Sequence, residues 1–148
     1  MSKESCIQMV KDNHFCVLST SKNNLPNSSL MLYLSNEEGN TLYMVTRKGS
    51  LKHTNVVENP EVSLLIDTRE NSKTSYSSVR ALTVYGKAFI IADQEEENAL
   101  FNLLTEKHPD LSVFSKLKDA CIIKVTVNKF LYLDGIEDAK YYTLPESH

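Results

Sequence analysis

The chain contains 148 residues, a length that fits one compact domain. Hydrophobic residues make up 41% of it and charged residues 24%, which is typical of soluble globular proteins and unlike disordered or fibrous chains. The formal net charge of −3 contrasts with the basic excess of most nucleic-acid-binding domains. Composition and charge therefore predict a single globular domain over residues 1–148 and argue against a nucleic-acid partner.

The sequence carries no signal for a membrane span, for export or for a disulfide framework. Its best apolar run, residues 30–34, is far shorter than the ~18 residues that a membrane-spanning helix needs. Charged residues interrupt the first dozen positions, which does not suit a signal peptide. The three cysteines, Cys6, Cys16 and Cys121, lack C-x-x-C spacing. We therefore expect reduced, packed thiols in a cytoplasmic protein without a membrane partner.

The N-terminal half of the chain predicts one helix followed by strands. Ser2 is a candidate N-cap for a short helix in the first dozen residues. A strand over 14–20 follows, and further strands over 27–35 and 41–46 are separated by a turn that contains Gly39. The simplest arrangement of these strands is an antiparallel meander.

The C-terminal half alternates helices and strands. In chain order, we expect a short helix that stops before Pro60, strands over 61–67 and 79–92, a helix from the N-cap Asp93 to Lys107, a helical segment over 110–117 and a strand over 120–133. Gly86, inside the strand over 79–92, indicates a bulge or a close approach of another backbone. Six strands with mainly antiparallel neighbours and short inserted helices predict a small barrel, closed or partly closed, of the α+β class.

The strongest chemical signal is a basic segment, residues 46–53 (TRKGSLKH), in a chain that is acidic overall. It lies where a strand is expected to end and a helix to begin. The hydroxyls of Thr46 and Ser50, free backbone N–H groups and the Lys52 ammonium could converge there on one anion, such as a phosphate. The alternative is that Ser50 only caps the helix and the basic side chains are solvated.

Other catalytic patterns are missing from the sequence. It contains no Walker A loop and no H-E-x-x-H, G-x-S-x-G or G-x-G-x-x-G pattern, which argues against the commonest NTPase, zinc protease, hydrolase and dinucleotide-binding folds. The four histidines lack metal-ligand spacing, so no metal site is expected. The strand tyrosines Tyr33, Tyr43 and Tyr85 suit core or interface positions.

Several short motifs in a fixed order carry a resemblance to a known family. They are P-N-S-S-L-M at 26–31, L-Y-M-V-T at 42–46, G-S-L-K-H-T-N-V at 49–56, N-P-E-V-S-L at 59–64 and V-Y-G-K-A at 84–88. This order resembles the pyridoxamine 5'-phosphate oxidase-like family of split-barrel flavin-binding proteins. The resemblance covers about residues 5–133 and leaves 134–148 as a C-terminal tail. It implies a six-stranded antiparallel split β-barrel that forms a homodimer and holds FMN in two grooves at the subunit interface.

The residues that the resemblance assigns to FMN lie on three segments. Ser28, Ser29, Leu30 and Met31 match the strand beside the isoalloxazine ring, Val45 and Thr46 match the strand end near the ring and the ribityl chain, and Ser50 and Lys52 match the phosphate cradle. True pyridoxamine phosphate oxidases carry an Arg where this chain has Leu51, and Arg47 is the expected substitute as a phosphate ligand. No catalytic residue is assigned.

These departures argue against oxidation of pyridoxamine 5'-phosphate itself, since the chain also contains no Trp to match the C-terminal segment of those enzymes. Three hypotheses for the function stay open. The first is an FMN-dependent oxidoreductase that acts on an unknown small molecule or electron donor. The second is a non-catalytic module that binds flavin, deazaflavin or haem. The third is an interaction domain without a ligand.

Overall fold

The computed structural model describes residues 2–69, 78–135 and 138–145. Its helices are α1 (Lys3–Asp12), α2 (Leu51–Glu58) and α3 (Gln94–Lys107), and a 3-10 helix (Pro109–Lys116) follows α3. The strands are β1 (Phe15–Lys22), β2 (Leu25–Leu32), β3 (Leu34–Ser35), β4 (Thr41–Arg47), β5 (Glu61–Asp67), β6 (Arg80–Ile90), β7 (Ala120–Asp134) and β8 (Asp138–Thr143). Among the described residues, no helix is long and apolar enough to cross a membrane.

The N-caps predicted from the sequence are confirmed. The Ser2 hydroxyl accepts a hydrogen bond from the Ser5 backbone N–H at 3.1 Å, and the Asp93 carboxylate accepts one from the Glu96 backbone N–H at 3.1 Å. Each cap satisfies an N–H group that the first turn of a helix leaves without a partner. Helices α1 and α3 therefore begin for local reasons.

The described strands form one antiparallel sheet with the order β2-β1-β5-β6-β7-β4-β3, and β8 pairs with β7. One edge of β7 binds β6, while the other edge binds first β4 and then β8. Because this long strand is shared by several neighbours and sheets twist, the sheet curls into a half-barrel. The predicted α+β fold with an antiparallel split barrel is confirmed, and the short strand β3 and the strand β8 add to the six expected strands.

The strand pairing differs from the expected meander, which was wrong. β2 forms a hairpin with β1 through Asn23 and Asn24, whose positive φ values of 53° and 64° suit a two-residue turn. β4, however, pairs with β7, with Thr41 beside Thr126, and not with β2. β2 is instead an edge strand, a position that suits Pro26 because proline has no N–H to donate to a second neighbour.

The strand expected over 27–35 is interrupted at Tyr33. The side chain of Tyr33 is fully buried, and its hydroxyl donates a hydrogen bond to the backbone carbonyl of Val10 in α1. Its backbone N–H binds the carbonyl of His14 at 3.1 Å. The interruption therefore attaches α1 to the sheet and separates β2 from β3.

The segment treated above as a C-terminal tail contributes to the sheet. β8 pairs with β7 over six positions, from Lys129 beside Thr143 to Asp134 beside Asp138. Leu144, just after β8, is only 7% exposed and packs into the core. Positions 136–137 and 146–148 of this segment lie outside the described residues.

The bulge predicted at Gly86 is confirmed. The register between β6 and β7 shifts between Tyr85 and Gly86. A Cβ atom at Gly86 would lie 2.3 Å from the backbone oxygen of Thr126, so glycine is required here by the close approach of β7. Burial also alternates along this strand, since Leu82 and Val84 are buried whereas Lys87 is exposed.

The described residues form a core of two hydrophobic clusters. The larger one fills the inside of the curled sheet and includes residues of α1 and α2. The smaller one lies under α3 and the 3-10 helix and consists of Val45, Ile91, Leu104, Leu111 and Ile122, with half-buried neighbours. This second cluster holds the 3-10 helix close to the end of β4, where the basic segment begins.

Candidate functional site

The predicted anion site is the turn between the end of β4 and the beginning of α2. Gly49 turns the chain with a φ of 84°, a conformation that other residues rarely adopt. The Ser50 hydroxyl then accepts a hydrogen bond from the His53 backbone N–H at 3.3 Å and lies 2.9 Å from the Thr46 hydroxyl. The two hydroxyls therefore lie together at the start of α2. Ser50 also caps this helix, as the alternative interpretation of the sequence expected.

A cavity of about 440 Å³ opens beside this turn. Most of the residues assigned to the cofactor line it: Leu30, Met31, Val45, Thr46, Arg47, Ser50 and Lys52. Among these residues, the cationic and hydroxyl side chains lie at the end of β4 and the start of α2, whereas Leu30 and Met31 of β2 and Val45 of β4 are apolar. Its volume falls within the range of small-molecule sites. The cavity therefore combines an apolar surface with an end that carries hydroxyl and cationic side chains.

Ser28 and Ser29 are not among the described lining residues of this cavity. Ser28 is exposed, and its hydroxyl lies 3.5 Å from that of Ser19 on β1. Ser29 is half-buried, and its hydroxyl accepts a hydrogen bond from the Asn27 side-chain amide at 3.4 Å. Both directly precede Leu30 on β2, so they lie on the same strand as part of the cavity wall.

Four further apolar residues belong to the cavity wall, and no sequence motif indicated them: Phe15, Leu32, Leu111 and Phe114. Leu111 and Phe114 belong to the 3-10 helix, which is far from β2 and β4 in the sequence. Leu111 is buried and packs in the same cluster as Val45, so the core positions the 3-10 helix against the cavity. No local pattern links these segments, and only the packed fold reveals their contribution.

The two cationic side chains of the cavity have different surroundings. The Arg47 Nε atom lies 3.2 Å and 3.0 Å from the two carboxylate oxygens of Asp119, and its Nη2 atom lies 2.9 Å from one of them. The hydrogen bond from Arg47 lowers the pKa of the Asp119 carboxyl below its ordinary value. Lys52 is half-buried and forms no ion pair with a described residue. Lys52 is thus the cation whose charge is available to a ligand.

Cys121 lies beside Thr46 across the β4–β7 ladder. Its side chain is 1% exposed, and burial raises the pKa of its thiol above the ordinary value. A buried thiol with a raised pKa is a poor nucleophile. The described lining residues include no Asp, Glu, His or Cys.

Size alone does not single out this cavity. A groove of about 860 Å³ lies between α3 and the 3-10 helix and shares only Phe114 with it. A further cavity of about 480 Å³ shares Phe15 and Leu30. What distinguishes the cavity at the β4–α2 turn is its chemistry, because the paired hydroxyls and the available ammonium lie at one end of an apolar wall.

Comparison of the sequence with protein families gives a match to the family described as Pyridoxamine 5'-phosphate oxidase, over residues 2–134. The chain belongs to this family. The resemblance inferred from the order of short motifs is therefore confirmed. No curated relative matches the chain at a significant level of sequence similarity.

Solved structures of similar fold have low sequence identity to this chain. General Stress Protein 26 from Bacillus anthracis is 22% identical, with a TM-score of 0.68 and coverage of 97% of this chain and 100% of that one. A FAD-binding protein from Mesorhizobium loti is 17% identical, with a TM-score of 0.70 and coverage of 89% and 94%. The heme storage protein HutZ from Vibrio cholerae is 14% identical, with a TM-score of 0.71 and coverage of 95% and 93%. At such identities the likeness establishes the fold, and the fold serves proteins named for different cofactors.

Proposed function

We propose that this protein binds FMN in the cavity at the β4–α2 turn and acts as an FMN-dependent oxidoreductase. The observation that carries the proposal is the arrangement of Thr46, Ser50 and Lys52 at one end of an apolar wall. FMN has the matching structure, since a planar ring system is joined through a ribityl chain to a phosphate. Family membership supports the same cofactor class.

In this proposal, Leu30, Met31 and Val45 pack against the ring system, and Thr46 faces the ribityl chain. Ser50 and Lys52 hold the phosphate, because a hydroxyl at a helix start and an ammonium group both bind phosphate well. Ser28 and Ser29 stay proposed ring contacts, since they precede Leu30 on the same strand. Arg47 stays a proposed phosphate contact, although it is engaged with Asp119 in the structure.

The cofactor would supply the hydride or electron transfer, which needs few catalytic side chains. The residues of this chain have the tasks of binding and orientation. The apolar side chains exclude water from one side of the cavity, and the cationic end fixes the position of the phosphate. The proposed substrate is a small molecule or electron donor that reaches the open side of the cavity.

A homodimer is the second element of the proposal. One row of cross-strand neighbours crosses the outer face of the sheet: Leu30, Val17, Leu65, Thr83, Leu131 and Tyr141. Within the single chain, Leu30 is 71%, Leu65 38% and Tyr141 62% exposed. A mainly apolar row that is partly exposed in the single chain favours an interface with a second copy. Because Leu30 belongs both to this row and to the cavity wall, a second copy on this face would also enclose the cofactor.

We do not propose oxidation of pyridoxamine 5'-phosphate. Leu51 stands where the oxidases carry an Arg, and its side chain is 60% exposed and outside the cavity lining. A substrate phosphate at the cavity would have to compete with the cofactor for Lys52. We therefore expect little turnover of that vitamin, and the natural substrate is proposed to lack a phosphate.

The second candidate is a non-catalytic module that carries flavin, deazaflavin or haem. The heme storage protein among the structural neighbours supports it, and so does Met31 in the cavity wall, because a thioether is a known ligand of haem iron. The visible spectrum of the purified protein separates the candidates. Flavin absorption bands support the first proposal, an intense Soret band supports the second, and a colourless protein that binds no FMN argues against both.

The location of the protein is also a proposal. All three cysteines are buried and unpaired in the structure. Free thiols persist in reducing compartments, which supports a cytoplasmic location.

Replacement of Lys52 tests the phosphate assignment directly. In the Lys52→Ala variant, we expect FMN affinity to fall roughly ten- to hundredfold, because a charge-assisted hydrogen bond contributes about 1.5–3 kcal/mol. Riboflavin affinity should change little, since riboflavin has no phosphate. The matched control is Lys48→Ala, which removes an exposed lysine outside the cavity lining. Equal losses for both ligands, or an equal effect of the control, would place Lys52 outside the phosphate site.

A further inference from the structure

The ion pair between Arg47 and Asp119 is built into the backbone of the sheet. Arg47 is the last residue of β4 and pairs with Ala120, the first residue of β7. The backbone N–H of Lys48 binds the carbonyl oxygen of Asp119 at 2.8 Å. These backbone contacts place Asp119 directly beside Arg47, so the pairing of the strands positions the ion pair.

The pair changes the charge that the cavity presents to a phosphate. Arg47 and Lys52 each carry one positive charge, and the Asp119 carboxylate cancels that of Arg47 at a distance of 2.9 Å. A phosphate monoester carries a charge of about −1.5 to −2 at neutral pH. The Lys52 ammonium therefore supplies the positive charge that faces the phosphate, because the charge of Arg47 is already balanced by Asp119.

We propose, on the basis of the proposed FMN site, that Asp119 is a specificity-determining residue. By neutralising Arg47, it limits the preference of the site for FMN over unphosphorylated flavin. Asp119 lies outside the cavity lining and acts only through Arg47. The consequence is that Lys52 dominates phosphate binding and that the phosphate contributes less affinity than two available cations would give. The site then exchanges its flavin more readily than one with a free arginine.

The test is the affinity of the Asp119→Asn variant for FMN and for riboflavin, measured by quenching of flavin fluorescence. Exposed ion pairs are weak, so we expect FMN affinity to rise by about two- to fivefold. Riboflavin affinity should stay unchanged, which also shows that the cavity is intact. The matched control is Asp134→Asn, which removes one exposed carboxylate at the opposite end of β7.

Arg47 provides a second arm for the same test. In the Arg47→Ala variant, we expect FMN affinity to fall by less than about threefold, because the guanidinium is already neutralised. In the double variant Arg47→Ala/Asp119→Asn, the gain caused by the Asn substitution should disappear. A gain that persists without Arg47 would overturn the claim that Asp119 acts through this arginine.

The outcomes separate this inference from the proposed function. If wild-type protein binds neither FMN nor riboflavin, both are overturned. If FMN binds in a Lys52-dependent manner but Asp119→Asn leaves its affinity unchanged, only the role of Asp119 is overturned. A fall in FMN affinity in that variant would also overturn it, because it would mean that Asp119 orients Arg47 toward the phosphate.

Discussion

The hydroxyl groups of Thr46 and Ser50 lie 2.9 Å apart and connect the end of β4 to the start of α2. Thr46 is 3% exposed, whereas Ser50 is half-buried at the rim of the cavity. Ser50 also accepts the hydrogen bond from His53 that caps the helix. One serine therefore links a strand, a helix and the proposed phosphate site.

Replacement of Ser50 by Ala should affect stability and FMN binding together. Loss of the helix cap is expected to lower the free energy of unfolding by about 0.5–2 kcal/mol, as measured by urea denaturation. FMN affinity should fall more than riboflavin affinity, because the lost hydroxyl belongs to the proposed phosphate site. Ser50→Thr, which keeps a hydroxyl, should retain most of both properties. A variant with normal stability and weakened FMN binding would show that the cap is dispensable.

The Gly86→Ala variant should be destabilised without any change in charge or polarity. Its Cβ atom would lie 2.3 Å from the Thr126 backbone oxygen, so β6 and β7 would have to separate locally. Overpacking of this kind costs about 1–3 kcal/mol, which thermal or urea unfolding would detect. The neighbouring variant Lys87→Ala changes an exposed side chain and should shift stability by less than about 0.5 kcal/mol. Equal stability of the two variants would contradict the close approach of β7.

His108 should make the stability of the fold depend on pH. It is 7% exposed, and its Nε2 atom lies 2.7 Å from the Tyr33 carbonyl oxygen. Burial lowers the pKa of His108 below its ordinary value of 6.5, and the charges of Lys107 and His14 lower it further, while the bond to Tyr33 opposes them. The folded protein therefore binds this proton less readily than the unfolded chain does.

The sign of the effect follows from this difference. The contribution of neutral His108 is complete well above pH 6.5, the pKa in the unfolded chain, and is lost as the pH falls through this value toward the lower pKa of the folded protein. We expect the melting temperature to fall between about pH 7.5 and about pH 5.5, where an ordinary imidazole gains its proton. The His108→Gln variant should show a smaller fall over the same interval. Identical pH profiles would rule out His108 as the source.

The Leu65→Asp variant tests the proposed dimer. Leu65 lies in the middle of the apolar row, between Val17 and Thr83, and its side chain is 38% exposed in the single chain. A carboxylate there should abolish the dimer in sedimentation velocity experiments while the fold is retained. Leu103→Asp is the control, because Leu103 is 50% exposed on α3, away from the row. A monomeric wild-type protein, or a dimeric Leu65→Asp variant, would argue against this interface.

The sequence by itself determined the features that depend on short-range contacts. The caps at Ser2 and Asp93 bind backbone groups three residues further along the chain, so their residue types are visible in any short window. Gly86 was recognisable as a site of close backbone approach or a bulge, because it is a glycine inside a predicted strand. The basic turn from Thr46 to Lys52 was evident for the same reason, because its hydroxyls and cations are close in sequence.

Only the tertiary structure decided the pairing of the strands and the full outline of the cavity. Thr41 lies beside Thr126 in the β4–β7 ladder, and no local pattern distinguishes this pairing from the meander that the sequence favoured. Phe114 reaches the cavity because its helix packs on a cluster drawn from several distant segments. The neutralisation of Arg47 by Asp119 has the same origin. Long-range pairing depends on how all the apolar faces can be buried together, and single segments do not contain that information.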